Sequence, residues 1–223
     1  LLVSSLGARA GTNEWTPIGP DGGHVRAIAA HPSAPGLFFG VAAGAIYRST
    51  DYGQTWSVVR ESLHDKLTRI AIDPSNPSIM LVTTDTNELF RSTDGGATFE
   101  KSIVPGRFVK AVLPGDGSAL AASDDGRIYV SANFGATWQI RYVFGSPVAP
   151  YDIVATPQNP STLYAGYGGG LFKSTDSGTT WILVNALGGI EPRTIAVDPG
   201  NSAHLLIAML GTGLLESQDG GIS

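Results

Sequence analysis

Cationic side chains recur at matching points of this 223-residue chain. Arg26, Arg69, Lys110 and Arg193 each stand within or just ahead of a short apolar run, at residues 25–30, 67–72, 108–113 and 194–198. The same stretches bring His24, Tyr151, Asp152, Asp21 and Glu191. Guanidinium and ammonium groups gathered this way grip carboxylates or sulfates through charge-assisted hydrogen bonds. A pair of carboxylates among them would be what glycoside hydrolysis needs, one acid and one nucleophile or base. The four histidines, His24, His31, His64 and His204, lack metal-ligand spacing, and the chain has no Cys to supply thiolates. No metal or cofactor is expected. Gly168-Gly169-Gly170 precedes no helix, which makes it a hairpin turn rather than a phosphate loop.

The elements that must position these groups are set by a repeat. The phrase STDYGQTW at residues 49–56 returns as STDGGATF at 92–99, SANFGATW at 131–138, STDSGTTW at 174–181 and SQDGGIS at 217–223. Its opening serines are 43, 39, 43 and 43 residues apart, a period that means one supersecondary unit copied around a ring or along a stack. Each copy reads as four strands. A first run is followed by a turn containing Pro32, Pro74, Pro114, Pro157 or Pro199, because proline cannot donate to a ladder and ends the strand. A second run follows at 37–42, 79–84, 118–123, 162–167 and 205–209, then a third such as 46–49 or 171–174. The phrase itself makes the next turn and starts the fourth strand. The expected fold is all-β: a β-propeller of about five four-stranded antiparallel blades, or part of a six- or seven-bladed ring.

Within the phrase, Asp51, Asp94, Asp176 and Asp219 can accept backbone N–H bonds inside the turn, and the Gly two residues later can take positive φ. Asn133 keeps an acceptor in the third copy. Trp56, Phe99, Trp138 and Trp181 supply apolar plates for packing between blades. This tolerance suits a structural turn rather than catalysis.

The pattern S-x-D-x-G-x-T-W resembles the Asp box, or BNR repeat, of sialidase-like propellers, over nearly all of residues 15–223. The resemblance to sialidases would cast Arg26, Arg69 and Arg193 as carboxylate holders, Tyr151 with Glu191 as nucleophile and Asp21 as acid/base. The arginine signature of that family's first blade is missing, since His24-Val25-Arg26-Ala27 stands there. The opening from Trp15 through Gly44-Ala45-Ile46-Tyr47-Arg48 resembles the first blade of xyloglucan-cleaving propellers, with Ala42-Ala43 where those carry a catalytic Asp. The compact repeats are also similar to photosystem II assembly-factor propellers and sortilin-type ectodomains, which bind proteins or peptides.

In a four-stranded meander the repeated turns and the Pro turns share one end. The blade connections and the second-to-third turns, with Asp85, Asn87, Asp124, Asp125 and Tyr167, share the other. The favoured expectation is a non-catalytic binding or scaffold module. It would recognise a protein, peptide or glycan at this second mouth through Arg26, Arg69, Lys110, Arg193, His24 and Tyr167. The alternative is a glycoside hydrolase using Asp21, Tyr151 and Glu191. A net charge of −5 without a basic run argues against nucleic acid, and no apolar stretch is long enough for membrane insertion. Residues 1–10 read as the remnant of a signal peptide ending at Ala8-Arg9-Ala10, or as a disordered terminus; the first of these implies an extracytoplasmic protein. Residues 11–223 form one propeller domain in this reading, with the strand around Trp15 completing the last blade. The sequence does not indicate an oligomeric state.

Overall fold

A computed structural model describes residues 19, 24–61, 67–84, 88–106, 108–145, 150–168, 170–185, 192–211 and 213–222. These residues form nineteen strands and no helix. Blade 1 is β1 (Val25–Ala30), β2 (Phe38–Ala42), β3 (Ala45–Ser49) and β4 (Ser57–Arg60). Blade 2 is β5 (Leu67–Ile72), β6 (Met80–Thr84), β7 (Leu89–Ser92) and β8 (Glu100–Ser102). Blade 3 is β9 (Phe108–Val112), β10 (Ala119–Ser123), β11 (Arg127–Ser131) and β12 (Gln139–Val143). Blade 4 is β13 (Asp152–Thr156), β14 (Asn159–Tyr167), β15 (Gly170–Ser174) and β16 (Ile182–Asn185). Blade 5 contributes β17 (Pro192–Asp198), β18 (Asn201–Met209) and β19 (Gly213–Ser217). Every sheet is an antiparallel meander in sequence order, and the five sheets are the blades of a β-propeller. The strand expected around Trp15 lies outside the described residues.

The second strands of blades 4 and 5 start earlier than the proline positions imply. Pro157-Gln158 and Pro199-Gly200 make tight hairpins, so Thr156 pairs with Asn159 and Asp198 with Asn201. In blades 1 and 2 the loop is longer and ladder pairing begins only at Phe38 and Met80.

Side-chain alternation divides each blade into two apolar faces, and four cores lie between successive blades. Phe39 and Ile46 of blade 1 meet Ile70, Met80, Val82, Phe90 and Phe99 of blade 2. Leu81 and Leu89 meet Ala111, Tyr129 and Trp138 of blade 3. Leu120 and Ile128 meet Ile153, Leu163 and Trp181 of blade 4. Tyr164 and Leu171 meet Ile195, Leu205 and Ile207 of blade 5. Phe99, Trp138 and Trp181, which end the second, third and fourth phrases, therefore pack against the preceding blade.

The first four copies of the repeated turn are built the same way. Ser49 Oγ accepts the Gly53 N–H at 2.8 Å and donates to Asp51, whose two oxygens take the Thr55 N–H at 2.9 Å and the Thr55 hydroxyl at 2.6 Å. Ser92–Asp94–Thr98 and Ser174–Asp176–Thr180 repeat the pattern. Asn133 reproduces it: its Oδ1 accepts the Thr137 N–H at 2.9 Å and its Nδ2 donates to the Thr137 hydroxyl at 3.0 Å. The turn needs two consecutive residues with positive φ, such as Phe134 (54°) before Gly135 (85°). The second has to be Gly for a further reason: a Cβ at Gly178 would come within 2.9 Å of Leu120, and one at Gly221 within 2.6 Å of Leu171, both on the preceding blade. Turn formation and blade stacking thus depend on the same glycine.

A candidate binding site in the central channel

The innermost strands β1, β5, β9, β13 and β17 neighbour one another in order. Register relative to the second strand gives each an equivalent residue: Ala27 opposite Val41, Arg69 opposite Thr83, Lys110 opposite Ala122, Asp152 opposite Gly166 and Thr194 opposite Ala208. This level lies toward the blade-connection end, away from the repeated turns. Three of its five positions are ionisable, and they converge on one carboxylate.

Asp152 is buried, its side chain 2% exposed. Its Oδ1 accepts from Arg69 Nη1 at 2.6 Å, from Lys110 Nζ at 3.2 Å and from its own neighbour, the Ile153 N–H, at 3.0 Å. Its Oδ2 accepts the Ile195 N–H of β17 at 2.9 Å. One side chain on blade 4 is therefore bonded to blades 2, 3 and 5. Burying a carboxylate is tolerable only when its oxygens are satisfied this fully. Burial pushes the Lys110 ammonium below its ordinary pKa, with Asp152 opposing that shift and the Arg69 charge adding to it. Arg69 and Lys110 keep 31% and 23% of their side-chain surface exposed, so both can be reached from the channel. Counting these three groups, the level carries two positive charges and one negative.

The remaining expected site residues divide. Arg26 on β1 and His24 just before it are exposed. Arg193 on β17 is exposed and lies over the Tyr151 ring at 4.5 Å, while the Tyr151 N–H bonds the Gly166 carbonyl at 2.9 Å. Tyr167 is elsewhere: it is 4% exposed and stacked on Phe144 at 4.2 Å, inside the core between blades 3 and 4. Its place at a strand end suggested a mouth residue, but Phe144 and Phe172 draw its ring into the apolar layer. In the second-to-third turn of blade 3, Asp125 pairs with Arg127. Asp21, His64, Asp65, Lys66, Asp85, Asn87, Arg107 and Glu191 lie outside the described residues. Among the described residues no three His, Cys, Asp or Glu groups are placed to hold a metal ion, and no helix is long and apolar enough to cross a membrane.

The convergence of Arg69, Lys110 and Asp152 is not visible from their separate positions in the sequence. Aligning the five first strands would have put them on one level. What the alignment lacks is the reach of the side chain, by which Arg69 spans blade 3 and meets Asp152 at 2.6 Å.

The model of the Sortilin-Vps10 family (sortilin, neurotensin receptor 3) matches residues 44–114, from β3 into the turn after β9. The VPS10 domain-containing receptor SorCS1 of Homo sapiens is 32% identical over 108 residues, 43% of this chain and 9% of the receptor; the Mus musculus receptor matches to the same extent. The chain thus spans about a tenth of the length of these curated relatives. Among solved structures, a GH74 enzyme of Niastella koreensis superposes with a TM-score of 0.70 at 19% identity, over 84% of this chain and 33% of that one. The GH74 xyloglucanase from Xanthomonas campestris gives 0.69 at 18% identity, over 90% and 37%. YCF48 bound to D1 peptide gives 0.65 at 17% identity, over 88% and 67%. At these identities the structural likenesses establish the propeller fold alone.

Proposed function

We propose that the chain is a non-catalytic, extracytoplasmic binding module that holds a protein or peptide partner at the channel mouth opposite the repeated turns, through a carboxylate of that partner. The observation that carries this reading is the unequal charge of the channel level: Arg69 and Lys110 share the single carboxylate of Asp152 and remain partly open to solvent. A ligand carboxylate entering there would balance the excess charge, with exposed Arg26 and Arg193 flanking the approach. A receptor among the curated relatives supports a protein-binding role. The Ala8-Arg9-Ala10 pattern supports the extracytoplasmic setting.

Fluorescence polarisation with a labelled acidic peptide, its Gln/Asn counterpart and a sulfated glycan tests the reading. The acidic peptide is expected to bind at least about tenfold tighter than the neutral one, the worth of one charge-assisted bond. Arg69→Gln and Arg26→Gln should each weaken it. Equal binding of both peptides, or a preference for the glycan, would overturn the peptide reading. Turnover of xyloglucan or a sialoside that disappears in Glu191→Gln would carry the glycoside hydrolase reading instead.

A further inference from the structure

Among the described residues, β4, β8, β12 and β16 each occupy the outer edge of a blade. Such edges present unpaired backbone N–H and C=O groups, and charged residues on them ordinarily discourage pairing with other chains. β4 carries Arg60, β8 carries Glu100 and Lys101, and β12 carries Arg141. β16, reading Ile182-Leu183-Val184-Asn185, carries none. Ile182 is 62% exposed and Leu183 53%. They project from opposite faces, Ile182 beside Lys173 and Leu183 beside Phe172. The edge is therefore apolar on both sides and uncharged along its length.

We propose that β16 pairs with β16 of a second copy of this chain, antiparallel about a two-fold axis through Leu183, joining two copies of blade 4 into one continuous sheet. Residues directly opposite in an antiparallel pair lie on the same face. A two-fold axis at Leu183 therefore sets it against the partner's Leu183, and Ile182 beside the partner's Val184, the residue at which the β15–β16 register shifts. All these pairs are aliphatic. The same operation on β8 would oppose two Lys101 side chains, and on β12 two Arg141 side chains, and like charges directly opposite are destabilising. On β4 it would set Ser57 against Val59 and bring Arg60 into the next pair. Of the four edges, β16 is the self-complementary one. The net charge of −5 on each copy opposes approach only weakly at physiological salt, where charges more than about 8 Å apart are screened. A four-residue strand pair is a small interface, so the association is weak and concentration-dependent.

Sedimentation velocity from roughly 10 µM to 1 mM, the range in which small interfaces dissociate, should show the mass rising from monomer to dimer. Leu183→Lys and Ile182→Lys should remain monomeric throughout while melting like the parent. Leu214→Lys is the control for a rival surface, since Leu214 is 63% exposed on blade 5, and should dimerise as the parent does. The chain has no Cys, so Leu183→Cys introduces a single thiol, which oxidation should link to its symmetry mate because facing residues in a strand pair lie within disulfide reach. A chain that stays monomeric at every concentration overturns the proposal. So does a dimer that survives Leu183→Lys, or one that is lost in Leu214→Lys.

Discussion

Asp152→Asn should be among the most damaging conservative substitutions in this chain. The carboxylate it replaces is 2% exposed and accepts from four donors, using both oxygens. Asparagine keeps the shape but turns one acceptor into an NH2 group. Whichever way the amide is oriented, a donor then faces a donor: the Ile195 N–H on one side, or the Arg69 and Lys110 cations on the other. The two cations also lose the charge between them. Removing one partner of a buried ion pair costs about 3–5 kcal/mol. Arg69 and Lys110 retain 31% and 23% exposure, so water recovers part of that loss, which places the estimate near the lower limit, about 3 kcal/mol. For a chain of this length each kcal/mol moves Tm by roughly 2–4 °C, so the expected drop is about 6–12 °C. Thermal unfolding followed by circular dichroism at pH 7 measures it. Lys110→Met in the Asp152→Asn background should recover part of the loss by removing one uncompensated cation. If Asp152→Asn melts within about 2 °C of the parent, the three-charge level does not hold the blades together as described.

Two further outcomes follow from the turns and the blade interfaces. The hydroxyls of Thr55, Thr98 and Thr180, followed by the N–H groups of the same threonines, hold Asp51, Asp94 and Asp176 at a pKa of about 2, below the ordinary 3.8. A depressed carboxylate stabilises the folded state above its unfolded pKa and loses that contribution as pH falls through its folded one, so Tm should decline between pH 4 and pH 2. Asp176→Asn should flatten that decline while nearly preserving Tm at neutral pH, as Asn133 already does in its copy, whereas Asp176→Ala should lower Tm; equal behaviour of the two variants would refute the account. Gly166→Ala would bring a Cβ within 2.8 Å of the Pro192 carbonyl oxygen and Cγ, forcing blades 4 and 5 apart. Overpacking of this kind costs about 1–3 kcal/mol, and an unchanged urea midpoint would show the interface to be looser than its geometry indicates.

The blade plan was legible because a turn that needs Ser, Asp, Gly and Thr at fixed offsets leaves the same mark each time it is used. Strand assignments rested on those turns and on the prolines, and they departed furthest where Pro157 and Pro199 make tighter hairpins than their counterparts. The phrase also contained more than its hydrogen bonds suggested, since Gly178 and Gly221 seat the turn against the previous blade. Arg69 and Lys110 were recognisable as channel residues from their strand positions. Their common partner was not, because Asp152 is 83 residues from one and 42 from the other, and such distances carry no local pattern. Tyr167 shows the same blindness in reverse: its position at a strand end did not reveal that Phe144 would stack on it.

Repeat proteins whose units touch only their neighbours gain stability additively, and can unravel from an end one unit at a time. The Asp152 carboxylate departs from that scheme. It bonds Arg69 two blades back and Ile195 one blade ahead, so loss of blade 5 uncovers Oδ2 of the same carboxylate whose Oδ1 ties blades 2, 3 and 4 together. A chain assembled from near-identical parts thereby acquires a shared fate for four of them. Blades 2 to 5 should therefore unfold together, whereas blade 1, which lacks a charged residue at this level, is held to blade 2 by their shared apolar core and the Arg60–Phe99 hydrogen bond.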